Sequence, residues 1–316
     1  MLNPSDHTRI EEALAHFTGR FGQNALTHPI DYLLRLGGKR LRPALVLAGC
    51  RLFGQKDENA LPAAVAVELF HNFTLMHDDI MDRAPLRRGQ ATVHERLNTP
   101  QAILSGDAML VQAYMSLTQS PPAVLPALTD IFNRTAFEVC LGQQMDMDFE
   151  QRTEVAEFEY LEMIRLKTSV LVGAALQMGA TVAGAGAADE EHIYLYGVEL
   201  GMAFQLRDDY LDALGDAALT GKQVGGDILA GKKTYLAIRT AQKLGHELPT
   251  QAKMPDADYV HRILTLYRIH QADRDLLDLM DRYFDSAMRH LDQISTPPEA
   301  KTELRTFASA LMQRKH

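Results

Sequence analysis

The stretch LPAAVAVELFHNFTLMHDDIMD, residues 61–82, decides the fold. Pro62 falls where proline is tolerated in a first helical turn, and Pro85 marks the far limit. Between them lies a strongly apolar segment that reads as one inner helix. It ends in Asp78-Asp79-Ile80-Met81-Asp82, a DDxxD pattern. On a helix, positions i and i+4 share a face, so Asp78 and Asp82 project together. Acid near a helix C-terminus opposes the macrodipole, and like charges so close destabilise the helix unless cations gather there. A second copy, Asp208-Asp209-Tyr210-Leu211-Asp212, follows the apolar run VELGMAFQLR. Its Asp208 and Asp212 share a face in the same way. Hard carboxylate oxygens favour magnesium, which keeps waters and bridges to substrate phosphates. A merely solvated acidic helix end would explain one copy more easily than two.

Helical spacing extends outward from this segment. Leu33, Leu34, Leu36, Leu41, Leu45, Leu47 and Leu52 recur at three- and four-residue steps around a Gly37-Gly38 break. Further helices fit 101–117, 123–149, 155–183, 189–214, 233–244, 259–270, 272–294 and 298–314. No sustained period-two alternation and no Asn-Gly signal occurs, so no strands are predicted. The intervening loops, 116–126, 183–188, 215–231 and 245–258, do not resemble domain linkers. The pattern predicts one all-α domain over 1–316, a bundle of about ten helices.

The chain has 316 residues, 46% of them hydrophobic, enough for a packed core. Its 41 acidic against 32 basic residues, net charge −9, argue against a nucleic-acid binder. Two cysteines, Cys50 and Cys140, make no disulfide scaffold, and the N-terminal segment lacks a signal-peptide core. A cytoplasmic setting is therefore expected. Residues 168–188 carry no charge, but they are rich in Ala and Gly and include Gln177, which fits a buried helix better than a membrane span.

Cations recur near the acidic clusters. Gly37-Gly38-Lys39-Arg40-Leu41-Arg42-Pro43 joins a glycine break to three basic residues. Glycine lets a backbone approach a ligand, and arginine offers paired donors to phosphate oxygens. Arg87 and Arg88 follow the first cluster. Lys167-Thr168 opens the uncharged segment, and Lys222, Gly225, Gly226, Asp227, Lys232, Lys233 and Thr234 follow the second cluster. Each alone could be a solvated charge. Together they suit a site for metal and diphosphate, which needs both signs of charge.

With these residues in order, the chain resembles the trans-prenyl diphosphate synthases, of the short-chain geranylgeranyl and farnesyl type, over nearly its whole length. The marks are GGKRLRP (37–43), FHNFTLMHDDIMDRAPLRRGQATVH (70–94), LSGDAML (104–110), LKTS (166–169), GMAFQLRDDYLDALGD (201–216) and TGKQVGGDILAGKKTY (220–235). The resemblance implies an all-α, usually homodimeric fold with a deep central cavity, and three magnesium ions with substrate bound. It implies that Asp78, Asp82 and Asp208 ligate magnesium, with Asp79, Asp209 and Asp212 supporting. Arg87, Lys167, Lys222 and Lys232 would hold an allylic diphosphate (dimethylallyl, geranyl or farnesyl). Lys39, Arg42, His71 and Arg88 would hold isopentenyl diphosphate. Lys167, Thr168 and Gln205 would serve at the reacting carbons. Helical arithmetic agrees in part: Gln205, Asp208 and Asp212 share one face, and His71 lies two turns before Asp78.

In such enzymes bulky residues one turn before the first cluster form a floor for the growing chain. Here those positions are Phe73 and Thr74, about 6 to 7.5 Å from Asp78 along the helix axis. One aromatic with a small neighbour points to geranylgeranyl diphosphate (C20), with farnesyl diphosphate (C15) next. Phe70 or the segment around 105–109 is the alternative floor. Two other readings stay open: a class I terpene cyclase, against which the DDYLD form of the second cluster speaks, and a non-catalytic partner subunit, against which both intact clusters speak.

Overall fold

Apolar residues at three- and four-residue spacing wind most of the chain into helices. The computed structural model describes residues 3–215, 225–252 and 254–313. Among them are fifteen α-helices. They are α1 (Pro4–Gly19), α2 (His28–Arg35), α3 (Leu41–Leu52), α4 (Leu61–Met81), α5 (Val93–Arg96), α6 (Thr99–Leu117), α7 (Leu125–Gln151) and α8 (Glu157–Ile164). There follow α9 (Val170–Val182), α10 (Ala187–Leu214), α11 (Gly226–Leu229), α12 (Tyr235–Leu244), α13 (Asp256–Ile269), α14 (Ala272–Gln293) and α15 (Thr302–Gln313). The all-α class expected from the sequence is the class observed. No described helix is long and apolar enough to cross a membrane.

Three differences from the expected elements have physical causes. Helices α1, α5 and α11 lie outside the pattern of about ten. The last two are single turns too short to show a period, and α1 is polar along most of its length, begun by Asn3, whose side chain accepts the Ser5 N–H at 3.1 Å. The expected helix 155–183 is instead α8, a wide π turn at Arg165–Ser169, and α9. One extra residue in a turn leaves the apolar spacing on either side intact. A hairpin also appears where no strand was predicted: β1 (Leu86–Arg87) pairs antiparallel with β2 (Gln90–Ala91). Its two loop residues, Arg88 and Gly89, both have positive φ, 53° and 76°, as a tight hairpin turn of the primed kind requires.

The residues divide into two compact units. The first comprises Met1–Arg134, Ala174–Glu191 and Ser295–Leu304. At its core, α4 is buried without interruption from Ala63 to Phe70. A helix apolar around its circumference needs neighbours on every side, and α4 packs on α3 and α6. Each buried Leu or Phe there contributes roughly 1.5–3 kcal/mol. Arg51 ties α1 and α3 to α15 through Asp6 at 2.8 Å, Asp57 at 2.6 Å and Glu303 at 2.6 Å. Helices α3 and α9 cross with backbones in contact. A Cβ on Gly179 would overlap the Val46 carbonyl oxygen, and one on Gly49 would overlap that of Leu176.

The second unit comprises Thr135–Gly173, His192–Ile294 and Arg305–His316. Its core gathers Tyr160, Met163 and Ile164 of α8, Met202, Ala203 and Leu206 of α10, and Leu236, Ile263, Tyr267, Leu276 and Met280 of the later helices.

The crossing of α3 and α9 yields a stability prediction. Gly179→Ala forces a backbone shift in a packed core, so it is expected to destabilise the fold by roughly 1–3 kcal/mol. Denaturant unfolding of the variant against the parent measures this, whereas Gly186→Ala, with open space at its Cβ position, is expected to be near neutral.

Candidate active site

The first unit places the first aspartate cluster at the end of α4. Asp78 and Asp79 lie in its last turn, and Asp82 is the C-cap, with its N–H on the Asp78 carbonyl at 2.8 Å. The three carboxylates are not equivalent. Asp79 is buried and receives Arg87, whose Nε lies 2.8 Å from both carboxylate oxygens and whose Nη2 lies 2.7 Å from Oδ1. Burial alone would lower the Arg87 pKa, but the bonds and charge of Asp79 raise it, so Arg87 stays charged. Asp78 is half-buried and Asp82 exposed, one turn apart on a shared face.

Behind this cluster lies a group of arginines. Arg40, in left-handed conformation at φ 46°, begins α3 and is buried against Glu68 at 2.5 Å and Glu11 at 2.7 Å. Arg42, two residues on, points its Nη1 to Nε2 of His71 at 3.2 Å. Arginine only donates, so Nε2 accepts and the His71 proton sits on Nδ1. The Arg42 Nε is buried with no hydrogen-bond partner among the described residues. The Arg88 guanidinium lies 3.0–3.2 Å from where a Cβ of Gly38 would stand, and Gly38 itself has φ 154°, a conformation that side-chain-bearing residues rarely adopt. Burial and the charges of Arg42, Arg88, Arg87 and Arg40 hold the His71 pKa well below its ordinary value. Burial also lowers the pKa of Arg42, and burial together with Arg40 lowers that of Arg88. Lys39 is exposed. Phe73 is half-buried on the same helix, and the Thr74 hydroxyl donates to the His71 carbonyl at 2.8 Å.

The second unit holds the other candidates. The π turn presents Lys167, which contacts Asp146 at 2.6 Å, and Thr168, whose hydroxyl lies 3.5 Å from Gln205 Oε1. Two glycines let neighbouring helices press on this turn. A Cβ on Gly142 of α7 would overlap the Lys167 backbone, and one on Gly201 of α10 would stand 2.9 Å from Ser169. Gln205 donates to Asp209 Oδ1 at 3.2 Å, and the Tyr160 hydroxyl donates to Asp209 Oδ2. Burial pushes the Asp209 pKa up to about 7 against the opposing effect of the Tyr160 bond. Asp208 is exposed, while Asp212 accepts the Asp227 N–H at 2.9 Å and so begins α11. Lys232 lies 3.4 Å from Asp227. Lys222 is outside the described residues. A cavity of about 690 Å³ near α11 is lined by Ile228, Lys232, Ile238 and Tyr267, but by none of the cluster aspartates.

A family model described as polyprenyl synthetase matches residues 23–260. The chain belongs to this family. Its members make it a trans-prenyltransferase of the short-chain polyprenyl diphosphate synthase kind. It is 38% identical over 292 residues to a geranylgeranyl diphosphate synthase of Methanosarcina mazei, covering 90% of this chain and 88% of that one. It is 39% identical over 221 residues to a geranylfarnesyl diphosphate synthase of Aeropyrum pernix, covering 68% and 70%. A crystal structure of a geranylgeranyl pyrophosphate synthase superposes with TM-score 0.93 at 43% identity, covering 99% of this chain and 98% of that one. Another, from Corynebacterium glutamicum, is complexed with isoprenyl diphosphate and magnesium; it has TM-score 0.85 and 28% identity and covers 97% and 98%.

Several residues of this prenyltransferase escape the sequence reading. Arg40, inside the basic motif, is a buried partner of Glu68 rather than a surface cation. Asp146 and Tyr160 contact Lys167 and Asp209, respectively, while Asp227, already named after the second cluster, pairs with Lys232. The one usable signal is chemical: a lysine or carboxylate inside an apolar helix needs a partner.

The neutral state of His71 has a pH consequence. Its folded pKa is depressed, so below roughly pH 6.5 the unfolded chain takes up a proton that the folded state refuses. Stability present above that pH is therefore lost as pH falls. The loss is expected to be about 1 kcal/mol between pH 7.5 and 5.5. Urea unfolding at the two values measures it, and His71→Gln is expected to remove this part of the pH dependence.

Proposed function

We propose that this prenyltransferase condenses isopentenyl diphosphate head-to-tail with an allylic diphosphate to give geranylgeranyl diphosphate (C20), releasing diphosphate. The observation that carries the reading is the juxtaposition in one unit of Asp78 and Asp82, sharing a face at the end of α4, with the Arg42–His71–Arg88 group. The first is a metal-ligating pair and the second an anion site. The family match at 23–260 covers residues of both units, which supports one functional domain over 1–316.

The donor set fits magnesium. Among the described residues no three acidic, histidine or cysteine side chains form a complete cage. Carboxylate oxygens offered in pairs suit an ion that fills its remaining positions with water and substrate phosphate. Asp78 and Asp82 of the first unit, and Asp208 of the second, would each supply carboxylate ligands, with Asp79, Asp209 and Asp212 supporting, and three ions would be held with substrate bound. When bound, magnesium neutralises charge that develops on the departing diphosphate.

The protein's own groups do the rest. Arg87, Lys167, Lys222 and Lys232 hold the allylic diphosphate, while Lys39, Arg42, His71 and Arg88 hold isopentenyl diphosphate. The carbon–oxygen bond of the allylic diphosphate breaks, its electron pair leaving with the diphosphate. Thr168 and Gln205 turn oxygen lone pairs toward the allylic cation. The isopentenyl double bond attacks, and the proton lost in forming the new double bond goes to the released diphosphate. Apolar walls exclude water, which would quench the cation. Neutral His71 accepts from Arg42, which keeps that guanidinium oriented. The lone aromatic Phe73 beside small Thr74 supports a C20 floor. We also place the enzyme in the cytoplasm as a homodimer; exposed Leu104, Val111 and Met115 of α6 support association.

Asp78→Ala and Asp208→Ala are each expected to lose roughly 10²–10³-fold in turnover, the size of removing one preorganised charge-stabilising group. The assay supplies magnesium and dimethylallyl, geranyl or farnesyl diphosphate, with and without isopentenyl diphosphate, and products are read by chain length. Near-normal turnover of either variant would falsify the assignment. Elongation only with isopentenyl diphosphate separates a synthase from a cyclase, which gives cyclic hydrocarbon without it, and from a partner subunit, which turns nothing over. Phe73→Ala is expected to lengthen the product beyond C20.

A further inference from the structure

Phe73 is one ring in a continuous row. Tyr114 and Phe132 stand 5.0 Å apart by centroid, Phe132 and Phe70 5.3 Å, Phe70 and Phe73 5.7 Å, and Phe73 and His77 4.8 Å. Four of these contacts are edge-on or tilted, the arrangements that aromatic rings prefer. The middle of the row is fixed by core burial, since Phe70 and Phe132 are buried. One end is fixed by His77. Its Nε2 lies 3.1 Å from the Ile103 carbonyl oxygen, which can only accept, so Nε2 carries the proton. Its ring fills the space over Gly106, where a Cβ would overlap Nε2. Asp107 Oδ1 lies 3.9 Å away on the open side. The imidazole is thus held by a hydrogen bond on one edge, by the α6 backbone beneath it and by the Phe73 ring at its side.

We propose that His77 is a positioning residue for product length, holding Phe73 through ring contact with Gly106 as its seat. This rests on the reading that Phe73 forms the floor for the growing chain. Phe73 is half-buried, so burial alone does not lock its rotamer. It has one ring neighbour toward the core, Phe70, and one toward the aspartates, His77. Removing the second leaves the ring free to turn about χ1 and open the floor. Substitution of His77 therefore acts on chain length only by way of Phe73, although the residue itself need touch no substrate.

The test reads the ratio of products longer than the parent's main product to that product, from purified enzyme supplied with farnesyl and isopentenyl diphosphate. His77→Ala, His77→Gln and Gly106→Ala are each expected to raise the ratio roughly three- to tenfold, the worth of one aromatic contact. His77→Phe, which keeps a ring on the seat, is expected to stay within about twofold of the parent. The double variant Phe73→Ala/His77→Ala is expected to match Phe73→Ala alone. If Phe73→Ala lengthens the product while His77→Ala and His77→Gln leave the ratio unchanged, the positioning role is overturned and the floor stands. If Phe73→Ala itself changes nothing, the floor reading falls, and the proposal with it. Circular dichroism of each variant excludes unfolding, and the ratio is independent of how much active enzyme survives, so a merely structural role would not move it.

Discussion

A carboxylate at the C-terminal end of a buried helix meets the negative end of the helix dipole and loses water at the same time. Three carboxylates end α4, of which Asp79 is the buried one, and the way it is held propagates through the first unit. Asp79 turns inward and therefore needs Arg87. Arg87 reaches it from a hairpin strand, and that hairpin needs positive φ at both loop residues. One of the two is Arg88, at some cost in backbone strain, and its guanidinium packs closely over Gly38. A single inward-facing aspartate thus connects the acidic cluster to the basic motif that precedes it in sequence. Asp78 and Asp82 share the other face of the helix end, and their charges also act on Arg87.

The same constraint on α10 has a different solution. Asp209 is also the second member of its cluster and is also buried, yet its partners are the neutral Tyr160 and Gln205. Without a bonded cation, burial dominates and the carboxyl group titrates near neutrality. The lysines of this unit pair elsewhere, Lys167 with Asp146 and Lys232 with Asp227. Lysine is a compact point charge on a flexible stem, whereas Arg42 and Arg88 present fixed forks. Among these residues the first unit thus carries oriented arginine forks and the second flexible lysines.

Much of this was legible in the sequence, and the limits follow from the range of each interaction. The apolar period predicts α4, α6, α7 and α10 to within a few residues, because a 3.6-residue repeat is a local property. Both aspartate clusters are likewise local, and their shared faces follow from helical arithmetic alone. The Arg40–Glu68 and Tyr160–Asp209 pairs join residues 28 and 49 positions apart, which no local period encodes. The hairpin turned on Arg88-Gly89 rather than on Asn-Gly, so the strand signal was missing although the positive φ at a glycine was available. The π turn at Lys167 was invisible for a related reason. It is pressed by two other helices through Gly142 and Gly201, contacts that lie far off in sequence.

The arginine group has one further electrostatic consequence. Burial lowers the pKa of both Arg42 and Arg88, with the Arg40 charge adding to the effect at Arg88, and Glu68 only partly offsets this. Lowered pKa values mean that positive charge is held there at a cost in the absence of an anion. His71 does not share that cost by ionising, because burial and the same arginines depress its pKa. The buried Nε of Arg42 adds a donor that has no acceptor among the described residues. A doubly charged phosphate group would offset the cost at the arginines: it supplies an acceptor for the Arg42 Nε and balances the guanidinium charge. An anion bound there would gain from relief of repulsion already built into the fold as well as from new hydrogen bonds.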